Sequence, residues 1–140
     1  MPHVSRLLPY LILVAGCASQ SAGDSRFDGT YVGASIRARD GVVCGQESEP
    51  LTLRVQNGAF RYTFWVGGMY SGATTLVKID VLIAADGLLE GSSLYYTESP
   101  GIWRTWYQTS AILVGQIAGD RLEADVNTLN CGRHLYLRRG

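Results

Sequence analysis

Three times in this chain a run of alternating residues stops at a two-residue turn and starts again. The units are Val55-Gln56-Asn57-Gly58-Ala59-Phe60, Ile83-Ala84-Ala85-Asp86-Gly87-Leu88 and Ile117-Ala118-Gly119-Asp120-Arg121-Leu122. Asn-Gly and Asp-Gly between alternating hydrophobics are the strongest short hairpin signals, because both central positions of the favoured turn need positive φ. The intervals between units are unequal, so they reflect repeated hairpin chemistry and not a solenoid repeat. Around the turns the period is two. Leu51, Leu53 and Val55 share a face, as do Phe60, Tyr62 and Phe64, with Arg61 and Thr63 opposite. Val77, Ile79, Val81 and Ile83 point one way and Lys78 and Asp80 the other. Leu122, Ala124 and Val126 alternate with Glu123, Asp125 and Asn127. Such alternation marks half-buried strands.

The pattern predicts strands over 29–36, 51–56, 59–65, 76–84, 88–96, 111–118, 122–128 and 133–138, and no segment has helical periodicity. Eight strands joined mostly by tight turns imply an all-β fold: an antiparallel up-and-down meander forming a small closed or partly open barrel. Closure removes sheet edges that invite aggregation. A β-sandwich is the alternative, since several strands are short. In outline the meander resembles small calycin-type barrels, but no lipocalin or avidin signature residues are present.

The first residues obey a different rule. Met1 to Arg6 is short and basic, Leu7 to Gly16 is apolar, and ten apolar residues are too few for a spanning helix, which needs roughly 20. A basic start, a short apolar stretch and small residues at its end form a secretory signal. Leu13-Val14-Ala15-Gly16-Cys17 resembles the lipobox of bacterial lipoproteins. The resemblance implies cleavage before Cys17, lipidation of Cys17 and attachment to a membrane of the bacterial envelope. Ala18 stands where an inner-membrane retention Asp would be, which by the same resemblance points to the outer membrane, facing the periplasm. Residues 18–26 are small and polar and read as a flexible tether. The expected organisation is therefore a signal peptide over 1–16, a lipidated cysteine with tether over 17–26, and one β domain over 27–140.

With Cys17 assigned to lipid, Cys44 and Cys131 remain. In an oxidising compartment their default state is a disulfide, here closing a loop of roughly 87 residues. Cys44 follows the first strand and Cys131 precedes the last, so a bridge would tie the ends of the sheet together. Two cysteines and one mature histidine make a poor zinc site. No metal or cofactor is expected.

Charge and motif content narrow function by exclusion. The chain has 12 basic and 12 acidic residues, and loss of Arg6 leaves the mature part at −1. No basic excess exists to neutralise a phosphate backbone, which argues against nucleic acid as a partner. No Gly-x-Ser-x-Gly elbow or Gly-rich phosphate loop is present. His134 alternates outward with Tyr136, as a surface histidine does. Asp80 with Glu90 and Glu123 with Asp125 are carboxylate pairs, of which the second shares one face of a strand and reads as solvated.

One stretch is unusual. Thr97 to Gln108 reads as a connection between strands, yet it holds Trp103, Arg104, Trp106 and Tyr107. Trp and Tyr are amphipathic anchors enriched at binding surfaces, and the alternative is that these rings plug one end of the barrel or pack as an ordinary strand. Tyr70 and Trp65, near the glycine-rich break, are expected on the same rim. The break also contains Ser71-Gly72-Ala73, which resembles the Ser-Gly-Ala loop of membrane-bound lysozyme inhibitors, small lipid-anchored barrels that insert a loop into the lysozyme cleft. Here Thr74-Thr75 follow instead of that family's basic residue and Tyr. The expected function is a non-catalytic, membrane-anchored domain that binds a small ligand or an envelope partner. A lysozyme-inhibitor-like barrel is the alternative, and an enzyme with an unrecognised carboxylate site is a third possibility.

Overall fold

The structure, a computed structural model, describes residues 23–38, 44–67, 74–98, 106–129 and 131–140. It is all-β: β1 (Gly29–Arg37), β2 (Ser48–Val55), β3 (Ala59–Gly67), β4 (Thr74–Ile83), β5 (Leu88–Glu98), β6 (Trp106–Ala118), β7 (Arg121–Asn127) and β8 (Gly132–Arg139), after one 3₁₀ turn at Ser25–Phe27. The eight strands form one antiparallel sheet in the order β2-β1-β8-β7-β6-β5-β4-β3. The first and last strands lie side by side, with Gly33 opposite Leu137 and Ile36 opposite His134. That pairing turns the meander into a nearly closed barrel. The eight strands of the alternation all appear, and the partly open barrel, not the sandwich, is what they build.

Inward positions carry the core. Tyr31, Ile79, Leu89, Leu113, Leu122 and Leu135 are fully buried and alternate with exposed neighbours. Eight strands leave an interior just wide enough for side chains to fill. The outward face carries Arg61, Lys78, Asp80, Glu90, Glu123 and Asp125, all exposed and all within strands. A barrel facing lipid has the opposite polarity, with an apolar band outside. Closure also depends on a residue without a side chain. A Cβ on Gly33 would lie 1.8 Å from the carbonyl oxygen of Tyr136 on β8, so a bulkier residue would force the closing strands apart.

Cys44 and Cys131 are joined, with Cα atoms 5.0 Å apart, at one end of the β1–β8 pair. The bridge thus holds the two ends of the meander, as closure requires.

Two details depart from the alternation. The Asn57-Gly58 turn forms, with φ of 53° and 67°, but the hairpin ladder beyond it is a single bridge between Gln56 and Ala59. β2 then pairs only with β1 and β3 only with β4, which leaves a seam between β2 and β3. Pro50 lies in β2 and has no amide hydrogen to offer across that seam, as suits an edge strand. The second departure is β6. It starts at Trp106, five residues before the predicted start, and β5 runs on to Glu98. Much of what reads as connection is therefore ladder, with Tyr96 opposite Gln108 and Glu98 opposite Trp106.

Candidate functional site

The two ends of the barrel differ. At one end lie the three tight turns around Gly58, Gly87 and Gly119, and there the chain enters. The Asp24 amide donates to the Ile83 carbonyl at 3.0 Å, and the Arg26 guanidinium to the Ala85 carbonyl at 2.6 Å. The Asp28 carboxylate accepts from the Asn57 and Gly58 amides at 2.8 and 2.9 Å. Tyr31 closes this end from inside: its hydroxyl donates to the Phe27 carbonyl at 2.9 Å and accepts from Arg139. Residues 23–26, which the sequence assigns to the tether, thus carry hydrogen bonds to the barrel. The other end bears the longer connections, the disulfide and the aromatic residues. The N-terminal segment reaches the barrel at the end opposite to them.

Inside the long-connection end sits Arg133, 1% exposed. Its Nε donates to Ser35 Oγ at 2.6 Å, Nη2 to the Ser35 carbonyl at 2.8 Å, and Nη1 to the carbonyls of Cys44 and Gln46. Glu49 lies 3.8 Å away, and Ser35 Oγ shares a hydrogen bond with the Tyr62 hydroxyl at 3.1 Å. Burial pushes the Tyr62 hydroxyl above its ordinary pKa. Every guanidinium nitrogen is engaged, so this network holds the disulfide segment. Sequence reasoning missed Arg133, although it shares parity with Leu135 and Leu137 and must therefore point inward.

The outer surface at the same end carries exposed apolar side chains. Trp65, Leu76, Leu94, Tyr96 and Trp106 are exposed on the four neighbouring strands β3 to β6. Trp65 stands opposite Leu76 in the ladder, and the Thr75 hydroxyl meets the Tyr96 carbonyl at 3.4 Å. That contact brings the start of β4 beside Tyr96, and Trp106 lies two residues along β6 from Gln108, the residue opposite Tyr96. The exposed fractions of Trp65, Tyr96 and Trp106 are 58, 58 and 53%. Isolated surface hydrophobics need no explanation, whereas a group on adjacent strands is a candidate interaction surface.

Glu98 breaks the alternation of β5. Two positions beyond Tyr96, it belongs to the outward register, yet it is only 4% exposed. Its Oε2 is buried and accepts no hydrogen bond. It is the only buried Asp or Glu among the described residues. Parity alone assigns Glu98 to solvent, so nothing in the sequence flags it.

Of the expected site residues, the structure places Trp106 outward and exposed and Tyr107 inward and half-buried. One faces solvent and the other the barrel interior. Cys17, Tyr70, Trp103 and Arg104 lie outside the described residues, as do Ser71, Gly72 and Ala73 of the lysozyme-inhibitor resemblance. His134 is not a free surface group: Nδ1 faces the Asp125 carboxylate, and the ring lies 4.0 Å from that of Tyr136, centroid to centroid. Glu123 pairs with Arg121 and Asp80 with Arg61. Exposed ion pairs of this kind contribute little. Among the described residues no group of three His, Cys, Asp or Glu side chains could hold a metal ion. No family model, curated protein or solved structure matches the chain.

Proposed function

We propose that the chain is a lipid-anchored protein of the bacterial envelope whose barrel carries a protein-docking face away from the membrane. The anchor rests on the Leu13 to Cys17 motif. The observation that carries the docking role is the clustering of Trp65, Leu76, Leu94, Tyr96 and Trp106 on one outer face, at the end opposite the entry of the tether. Cys17 is six residues before Gly23, a span of at most about 21 Å when extended. Such a tether keeps the tight-turn end near the lipid and points the aromatic end outward. Trp and Tyr supply large contact area with little side-chain entropy to lose, and they dominate binding hot spots. The interior is packed with side chains, which favours this surface over the barrel lumen as the binding site. The role is non-catalytic and periplasm-facing, with the outer membrane as the site of attachment.

The test combines anchoring and docking in cells. Cys17→Ser should release the chain from membranes or leave it unprocessed. A photo-crosslinking residue at Leu94 should give one discrete adduct that disappears when Trp106→Ala is added, and the same residue at Glu123 should give none. A processed Cys17→Ser chain still fractionating with membranes would refute the anchor. An adduct from Glu123 equal to that from Leu94, or one indifferent to Trp106→Ala, would refute the docking face.

A further inference from the structure

We infer that Glu98 is the cation receptor of this face: the docking partner inserts a lysine ammonium or an arginine guanidinium beside Trp106 and Tyr96, where it pairs with the Glu98 carboxylate. The inference rests on the reading that the face docks a partner, and it names that partner's chemistry.

Two independent observations converge here. The first is the state of Glu98. A carboxylate withdrawn from water is costly unless paired or hydrogen-bonded. Glu98 is 4% exposed, its Oε2 accepts no hydrogen bond, and no ion pair to it forms among the described residues. Buried Arg133, by contrast, has a partner for every nitrogen. The fold thus satisfies one buried charge fully and leaves the other short. A local rule broken with no gain to folding is the mark of a functional position. The second observation is the company Glu98 keeps. It stands directly opposite Trp106 in the β5–β6 ladder, two residues from Tyr96 on the same strand. Both rings are more than half exposed. Aromatic faces attract ammonium and guanidinium groups, and the attraction strengthens when the cation is desolvated.

Together these groups provide π-faces and one unpaired carboxyl group, which suits a cation better than an acidic or neutral polar group. The Glu side chain has three rotatable bonds. Rotation about these bonds is how the carboxylate would meet the incoming charge. Specificity follows from the same arrangement. A partner lacking the cation would leave Glu98 as it is in the free protein and gain nothing from it, so discrimination comes from the pairing that only a cation supplies.

The experiment uses the oxidised mature chain and two probes, tetralysine amide and its fully acetylated counterpart. Binding is followed by calorimetry and by the indole resonance of Trp106. Tetralysine should bind at least tenfold more tightly than the acetylated peptide. Glu98→Gln should erase that preference, and Glu90→Gln, which removes an exposed carboxylate, should leave it intact. Free Glu98→Gln protein should melt at the same temperature as the parent or higher, since no fold contact to the carboxyl group is lost. A structural role would lower that temperature. Equal binding of the two peptides, both lost in Trp106→Ala, would overturn the cation inference and leave the docking face standing. A lysine preference that survives Glu98→Gln would overturn the inference outright, as would failure of both peptides to bind at millimolar concentration. A preference that depends on Glu98 but not on Trp106 would keep the receptor and remove the aromatic face.

Discussion

The Asp28 carboxylate accepts the Gly58 amide at 2.9 Å, across thirty residues of chain. With the Asn57 amide beside it, this contact ties the segment after the tether to the β2–β3 turn. The turn needs such support, because β2 and β3 share only the Gln56–Ala59 bridge. Hydrogen bonds to a charged acceptor contribute about 1.5–3 kcal/mol each.

Asp28→Ala should therefore cost about 2–4 kcal/mol in urea unfolding, with part of the loss recovered by water reaching the freed amides. Asp28→Asn should cost less, since its side-chain oxygen can still accept. Equal stability of all three proteins would show that the turn stands without the contact.

Trp106 and Phe60 should respond in opposite ways to truncation. Phe60 is 5% exposed and packs in the core, so Phe60→Ala should cost about 3–5 kcal/mol. Trp106 is half exposed, so Trp106→Ala should cost on the order of 0.5 kcal/mol. A loss above about 3 kcal/mol for Trp106→Ala would make it a core residue and end its candidacy for docking.

Stability should fall at alkaline pH through Tyr62 and Tyr95. Burial raises the pKa of both hydroxyls in the folded chain. In the unfolded chain each ionises near the ordinary value of about 10. Above that pH the unfolded state has lost protons that the folded state keeps, so stability decreases as pH rises. The slope is about 1.4 kcal/mol per pH unit for each group, up to its raised folded pKa, and the contribution is intact below pH 10. Unfolding curves between pH 9 and 11 should show this decline, and Tyr95→Phe should flatten it. An unchanged slope in that variant would mean that Tyr95 ionises as readily folded as unfolded.

The fold was largely legible because its information is local. Alternation such as Val77-Lys78-Ile79-Asp80-Val81 can be satisfied only by a strand with one face buried, and Asp86-Gly87 allows little but a tight turn. The position of Cys44 and Cys131 around the end strands was likewise enough to anticipate their bridge. What escaped was set by non-local packing. Tyr107 and Thr109 point inward but are polar, so the first part of β6 lacks a hydrophobic period and reads as a loop. The weak β2–β3 ladder is hidden behind a strong Asn57-Gly58 signal, with Pro50 as the single hint. Trp106 was visible as an unusual residue, whereas Glu98 was not: its parity says solvent, and only the assembled barrel shows it buried.

The orientation of the barrel on its anchor decides whether the aromatic face is free to meet a partner. The mature lipidated chain, labelled with a fluorophore at Asp86→Cys in the tight-turn end or at Gln108→Cys beside the aromatic face, can be reconstituted in vesicles with headgroup spin labels. The account predicts strong quenching at position 86 and little at position 108, with both signals unquenched when Cys17→Ser chain is added to the same vesicles. Equal quenching at the two positions, or stronger quenching at 108, would contradict it, because the aromatic face would then lie against the lipid instead of facing a partner.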